Sequence, residues 1–215
     1  TGQLHAAFRY ADHPHARILR IDTTAARAVP GVHAVITHED VPDVLYGGVS
    51  QDRRLFAKDK VRYEGDVVAA VAATSVEIAR RAAELVEVEY EVLPWSIEID
   101  DALKPDAPIL HEWMKFDGKP SNIASKLEHK LGDIEAGFKQ ADLVVERRFS
   151  TKPIHQGYIE PHACVVSVGQ DRHTVIWSSS QGQFMVRAMC ALLNGIEQSQ
   201  IRAIPAEIGG GFGGK

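Results

Sequence analysis

Cysteine is scarce in this sequence. Two occur in 215 residues, Cys164 and Cys190, each inside an apolar run. Neither forms a CxxC pair, so an iron–sulfur cluster or structural zinc on this chain is not expected. Both read as small buried hydrophobes. The reducing cytoplasm is the expected compartment. Apolar runs long enough to cross a bilayer, ~18 residues or more, are also missing, so no membrane helix is expected. The opening Thr1-Gly2-Gln3-Leu4-His5 lacks the charged region and apolar core of a signal peptide. Nor is there a surplus of positive charge. Lys and Arg number 24 against 29 Asp and Glu, giving a net charge of −5 and a pI near 6.0. That leaves no electrostatic footprint for nucleic acid. Internal repeats and low-complexity tracts are absent.

What is present is an ordinary globular composition, 45% hydrophobic and 25% charged, at a length that suits one domain or two small ones. Leu4–Tyr10 and Ala16–Asp22 read as strands, with His13-Pro14 as a turn between them. His13 and His15 read as part of that surface turn. Thr23–Ala28 is a short helix stopped by Pro30-Gly31, and Val32–Thr37 is a further strand. Gly47–Asp59 is polar and reads as a surface loop. Asp66–Ala73 is continuously apolar, the pattern of a strand buried on both faces. Thr74 and Glu77 form a capping-box pattern before a helix whose face carries Val76, Ala79, Ala83 and Val86. Val86–Val92 alternates as a strand, with Glu87, Glu89 and Glu91 on a solvated face. The order strand, helix, strand suggests a βαβ or split βαβ unit.

Pro94, Pro105, Pro108 and Pro120 mark an irregular connection. We place a domain boundary there, giving residues 1–115 and 116–215. Beyond it, Asn122–Lys130, Leu143–Thr151, Ala163–Val168, His173–Ser178 and Gln200–Ala206 read as strands. Asp133 reads as the cap of a helix carrying Ile134, Phe138 and Ala141. Gln183–Asn194 reads as a helix ended by Gly195. The fold class is α/β (α+β).

The last seven residues, Gly209-Gly210-Gly211-Phe212-Gly213-Gly214-Lys215, hold five glycines. Ordering glycine costs more entropy than ordering any other residue, and the usual return is close approach of backbone to a ligand. Gly209, Gly211 and Gly214 satisfy G-x-G-x-x-G, and Gly209 with Gly214-Lys215 satisfies the start of a P-loop. Five glycines satisfy many patterns, and both motifs require a helix directly after them. A nucleotide-binding protein is therefore a weak reading, and ATP binding would revive it. Phe212 argues against a mere flexible tail, since a lone aromatic among glycines suits a wedge beside a planar ligand. A ligand-cradling loop at the terminus also leads us to expect a piece of a larger protein. His155, Glu160 and His162 have no metal-site spacing, and Pro161 interrupts any shared helical face; no metal is expected there.

The segment Ile208–Lys215 resembles the pterin-cofactor loop of the molybdenum hydroxylases, the xanthine dehydrogenase and aldehyde oxidase family. Leu4-His5-Ala6-Ala7, His13–Ile18, Val29–Val35, Lys60–Val71 and Tyr90–Pro94 resemble, in order, that family's hammerhead domain. The resemblance implies a hammerhead domain followed by the first part of a molybdopterin-binding domain. It implies a molybdenum–molybdopterin cofactor, in the cytosine dinucleotide form usual for a bacterial member, and hydroxylation of aldehydes or N-heterocyclic and aromatic substrates with water as the oxygen source. Metal coordination makes water a nucleophile by lowering its pKa. In Trp177-Ser178-Ser179-Ser180-Gln181, the Gln181 amide would donate to an oxygen ligand of the metal, a neutral group suited to that task. Phe212 would wall the substrate pocket, while Gly211, Gly213 and Gly214 would let the backbone reach the cofactor. Lys215 would either meet an anionic group or lie in solvent. The family's glutamate base is not assigned; Glu160 and Glu207 lie outside its motif. Implied partners are the remaining molybdopterin-binding part of the large subunit, iron–sulfur and flavin (FAD) subunits or domains, and a small-molecule substrate. Alone, the chain is expected to be inactive. The competing class is a non-catalytic α/β binding or assembly module.

Overall fold

The computed structural model describes residues 2–48 and 50–215. The first region runs β1 (His5–Tyr10), β2 (Ala16–Asp22), α1 (Thr24–Arg27), β3 (Val32–Ile36), β4 (Lys60–Val61), β5 (Val67–Ala73), α2 (Val76–Glu84) and β6 (Glu87–Val92). These strands make two antiparallel sheets, ordered β1-β5-β3 and β4-β2-β6.

Strand β5 explains its own unbroken apolar sequence. Ala69 and Val71 pack with Ala82, Ala83 and Val86 under helix α2, whereas Val68 packs with Ala16, Ala57 and Val61 near the other sheet. Because strand side chains alternate, both faces must be apolar. Helix α2 lies on β1 and β5 with Ala79, Ala82 and Ala83 buried; alanine there lets helix and sheet approach closely.

Several expectations are corrected. The strand–helix–strand run is not a βαβ unit, because β5 and β6 belong to different sheets. Alternation marks a strand but not its partner. The α2 cap is Ser75, whose Oγ accepts from the Ile78 amide at 3.2 Å, rather than Thr74. The loop at 47–59 sends Phe56 and Ala57 into the core. His15 is buried instead of lying on a surface turn, and its Nδ1 meets the Pro94 carbonyl at 2.6 Å. The glutamates of β6 do face solvent, where Glu91 pairs with Arg17 at 2.7 Å across to β2.

The connection holds α3 (Ile99–Ala102) and the hairpin β7 (Lys115–Phe116) with β8 (Lys119–Pro120), which straddles the expected boundary. Asn122 pins this connection. Its amide donates to the carbonyls of Ala102 and Pro108, and its Oδ1 accepts from the Leu110 amide. Neither 122–130 nor 143–151 forms a strand. Their alternating apolar residues have no neighbouring strand to complete a ladder. Leu127, Leu143 and Phe149 are correspondingly exposed.

The second region adds α4 (Ile134–Gln140), β9 (Cys164–Val168), β10 (Thr174–Ser178), α5 (Gln183–Asn194) and β11 (Ile201–Pro205). Asp133 caps α4 as expected, accepting from the Ala136 amide at 2.9 Å. Strand β10 pairs antiparallel with β9 and parallel with β11, and α5 makes the crossover. Among the described residues the parallel unit is therefore β10–α5–β11, closed by Ile176, Ala191 and Ile201.

Candidate functional site

The β10–β11 register decides what meets what. Ser178 lies opposite Pro205, and the Ala206 amide donates to the Ser178 carbonyl at 2.9 Å. Two parallel neighbours thus deliver their next residues to the same end of the sheet. The carboxyl ends of parallel strands are where α/β sheets commonly form ligand crevices. After β10 comes Ser179-Ser180-Gln181, and after β11 comes the glycine loop.

Gln181 and the loop do meet. A Cβ built on Gly211 would lie 3.4 Å from Gln181 Oε1. The helix cap is Gly182, without a side-chain cap bond, so capping does not explain Gln181. Its side chain is exposed and free to meet a ligand.

Within the loop, the Gly214 amide donates to the Gly211 carbonyl at 2.7 Å, closing a turn over Phe212 and Gly213. Both central residues have positive φ, 48° and 88°. Two positive φ values characterise a type I′ turn, which favours Asn, Asp or Gly. Phenylalanine in this conformation costs roughly 1–2 kcal/mol. Packing does not return that cost, because Phe212 is 75% exposed. Strained residues of this kind concentrate at ligand sites.

Gly214 has a different reason to be glycine. A Cβ there would fall 2.6 Å from Tyr158 Cε1 and 3.1 Å from the Gly211 carbonyl oxygen. The segment 155–162 therefore lies directly against the loop. Tyr158 bonds through its hydroxyl to His162 Nε2, and the two rings meet edge to face at 5.0 Å. Glu160 accepts from the Gly209 amide and holds Lys215 Nζ at 2.5 Å. The Lys215 contact is ionic without an aligned hydrogen bond, and its side chain is 1% exposed. Lys215 thus meets an anionic side chain of its own chain. Lys215 and then the Gly209 amide hold the Glu160 carboxyl below its ordinary range. Among the described residues, no group of three or more His, Cys, Asp or Glu is placed to hold a metal.

The family resemblance places the stretch from His155 to His162 near the cofactor-binding region, but reasoning from sequence did not pair Glu160 or Tyr158 with individual loop residues. Glu160 and Gly209 are 49 positions apart, beyond any local pattern.

The loop's free donors suit a group that offers acceptor oxygens. Among the described residues, the amides of Gly210, Gly211, Phe212 and Gly213 have no protein acceptor. These consecutive amides are free to donate to acceptors outside the chain, to water at exposed Phe212 and Gly213 or to a bound oxygen. The fixed Glu160–Lys215 pair braces them.

Comparison with known proteins agrees with this architecture. Residues 1–94 match the family described as "Aldehyde oxidase and xanthine dehydrogenase, a/b hammerhead domain", and residues 115–215 match "Molybdopterin cofactor-binding domain". The probable hypoxanthine oxidase XdhD of Escherichia coli (strain K12) is 36% identical over 94% of this chain and 25% of its own length. The chain therefore spans about a quarter of that relative. Quinoline 2-oxidoreductase from Pseudomonas putida 86 superposes with a TM-score of 0.86 at 30% identity, covering 99% of this chain and 28% of that one. Aldehyde oxidoreductase from Desulfovibrio gigas gives 0.83 at 33%, covering 97% and 24%. By fold, by sequence and by the pairing of its two domains, the chain belongs to the aldehyde oxidase and xanthine dehydrogenase family, with a hammerhead domain followed by molybdopterin cofactor-binding sequence.

Proposed function

We propose that this chain forms part of the molybdenum-cofactor subunit of an oxidoreductase. The enzyme hydroxylates aldehydes or N-heterocyclic and aromatic substrates, with water as the oxygen source. One observation carries the reading: the Gln181 carboxamide and the unpartnered amides of residues 210–213 converge at the carboxyl ends of adjacent parallel strands. When bound, the molybdenum–pterin group supplies an acidified water and a two-electron acceptor.

The residues of this chain bind and orient. Gln181 would donate its amide hydrogen to an oxygen of the bound group. The amides of residues 210–213 would face cofactor oxygens, with Gly211 and Gly213 allowing the close approach and Gly214 letting the loop pack against Tyr158. Phe212, held outward by its turn, walls the substrate pocket and excludes water. Glu160 positions the loop and is not assigned as a base. The pterin would be in its cytosine dinucleotide form, and iron–sulfur clusters and FAD on other subunits or domains would supply the electron acceptors. The location is cytoplasmic. The separation of two units near residues 115 and 116 belongs to the same proposal.

The test is metal and pterin analysis of the complete assembly containing this chain, followed by turnover in ¹⁸O-labelled water. Stoichiometric molybdenum and label in the product are expected. An assembly holding neither metal nor pterin would leave a non-catalytic binding module as the function.

A further inference from the structure

A second cavity lies on the hammerhead side and shares no residue with the glycine loop. Its volume is about 330 Å³, near the lower end of ligand pockets, about 300 Å³. Trp113 forms one wall. The Arg62 guanidinium sits 4.6 Å from the indole centroid, and Arg54 sits 5.8 Å away. His111 meets the same indole edge to face at 5.2 Å. The wall is locked, since Arg62 also donates to the Leu110 carbonyl at 2.7 Å and to Glu112 at 3.1 Å.

Charge in this wall is unbalanced. Asp43 is shared by Arg54 and Lys58, and Glu112 is shared by Lys60 and Arg62. Each carboxylate thus serves two cations, while Arg53 has Asp52 beside it. Asp66 also lines the cavity and accepts from the Arg62 amide at 3.3 Å, while burial pushes its carboxyl upward; even with Asp52 and Asp66 counted, cations outnumber carboxylates in the lining. Asp43 and Glu112 themselves stay ionised. Hydrogen bonds from Arg54 and Lys58 hold Asp43 at about 2. Burial would raise Glu112, but bonds from Lys60, its own backbone and Arg62 bring it to about 2.

Two buried polar atoms here have no partner: Trp113 Nε1 and His111 Nδ1. The indole nitrogen can only donate. The His111 nitrogen donates or accepts according to its tautomer, and a buried donor left unpaired carries a desolvation penalty. A ligand that accepts hydrogen bonds and carries negative charge removes both deficits together.

We propose that this cavity is a binding site for a small oxyanion, a phosphate or a carboxylate, recognised by the Trp113 indole N–H and the surplus charge of the Arg54–Lys58 and Lys60–Arg62 pairs. The site stands apart from the proposed cofactor cradle and does not depend on it.

The test uses the ¹⁵N-labelled chain titrated with sodium phosphate and, separately, sodium benzoate, with ionic strength held constant by sodium chloride. The Trp113 indole resonance is identified by its loss in Trp113→Phe. A saturable shift of that resonance with either probe, absent with chloride alone, is expected. Arg54→Gln and Lys58→Gln should each weaken binding about tenfold, which corresponds to about 1.4 kcal/mol. Lys104→Gln, which removes a cation paired with Asp101 outside the cavity lining, should leave affinity unchanged. A response to phosphate alone assigns a phosphate ligand, and one to benzoate alone a carboxylate. No saturable shift with either probe, an equal shift with chloride, or unchanged affinity in both Gln variants would overturn the proposal.

Discussion

The carboxylate of Glu160 joins both ends of the glycine loop, accepting from the Gly209 amide and holding Lys215 Nζ at 2.5 Å. One side chain on a separate segment therefore sets the loop's span. Glu160→Gln keeps an acceptor for Gly209 but removes the charge that Lys215 needs. Hydrogen exchange of the Gly209 and Gly214 amides, the two in the loop that have protein acceptors, should accelerate while the hammerhead strands stay protected. An unchanged exchange pattern would mean the pair does not brace the loop.

The same pair gives the loop a pH dependence. Glu160 titrates below its ordinary value of 4.5 in the folded loop. Its stabilising contribution is then complete above that ordinary value and is lost as pH falls through the lowered one. Loop protection should decline on acidification in the wild type. In Glu160→Gln it should be low throughout, without that acid step. An identical acid step in the variant would assign the titration to another group.

How far the sequence reveals this site follows from the range of each interaction. Gln183–Asn194 and Val67–Ala73 were legible because periodicity and caps are local. Gln181 and the glycine loop were legible through family resemblance, yet their meeting depends on the parallel β10–β11 register. No single segment encodes that register. Residues 122–130 and 143–151 have strand-like alternation without strand partners, so reading them locally misleads. Ser75 replaced Thr74 as cap because two adjacent hydroxyl residues offer equivalent chemistry, and only the backbone path chooses.

The last two glycines of the loop differ in cause, and substitution separates them. Gly213 has φ 88° and open space around its missing Cβ, so Gly213→Ala costs backbone strain alone, roughly 1–2 kcal/mol. Gly214→Ala instead drives a methyl into Tyr158. Tyr158→Ser should relieve part of the Gly214→Ala loss of pterin content and none of the Gly213→Ala loss. Equal rescue of both would refute the steric account.

Gln181 touches the proposed site from an exposed position, so its loss should separate chemistry from folding. Gln181→Ala is expected to leave the melting temperature of the assembly unchanged and molybdenum content close to wild type. Turnover should fall by about 10²-fold, the usual effect of removing one donor aimed at developing charge. Full turnover in this variant would remove Gln181 from the proposed machinery.

Phe212 sets stability against function in one residue. The turn wants Asn or Gly at a position with φ 48°, and the exposed ring gains little from its neighbours. Phe212→Asn therefore relieves strain and should stabilise the isolated chain by up to about 1 kcal/mol, since Asn tolerates the left-handed region. The same change removes the proposed pocket wall, so turnover of the assembly should fall and the KM for aromatic substrates should rise. A thermal melt and a substrate titration on the same variant decide it. Lower stability together with normal kinetics would mean that the ring packs for the fold and that its strained backbone serves no ligand.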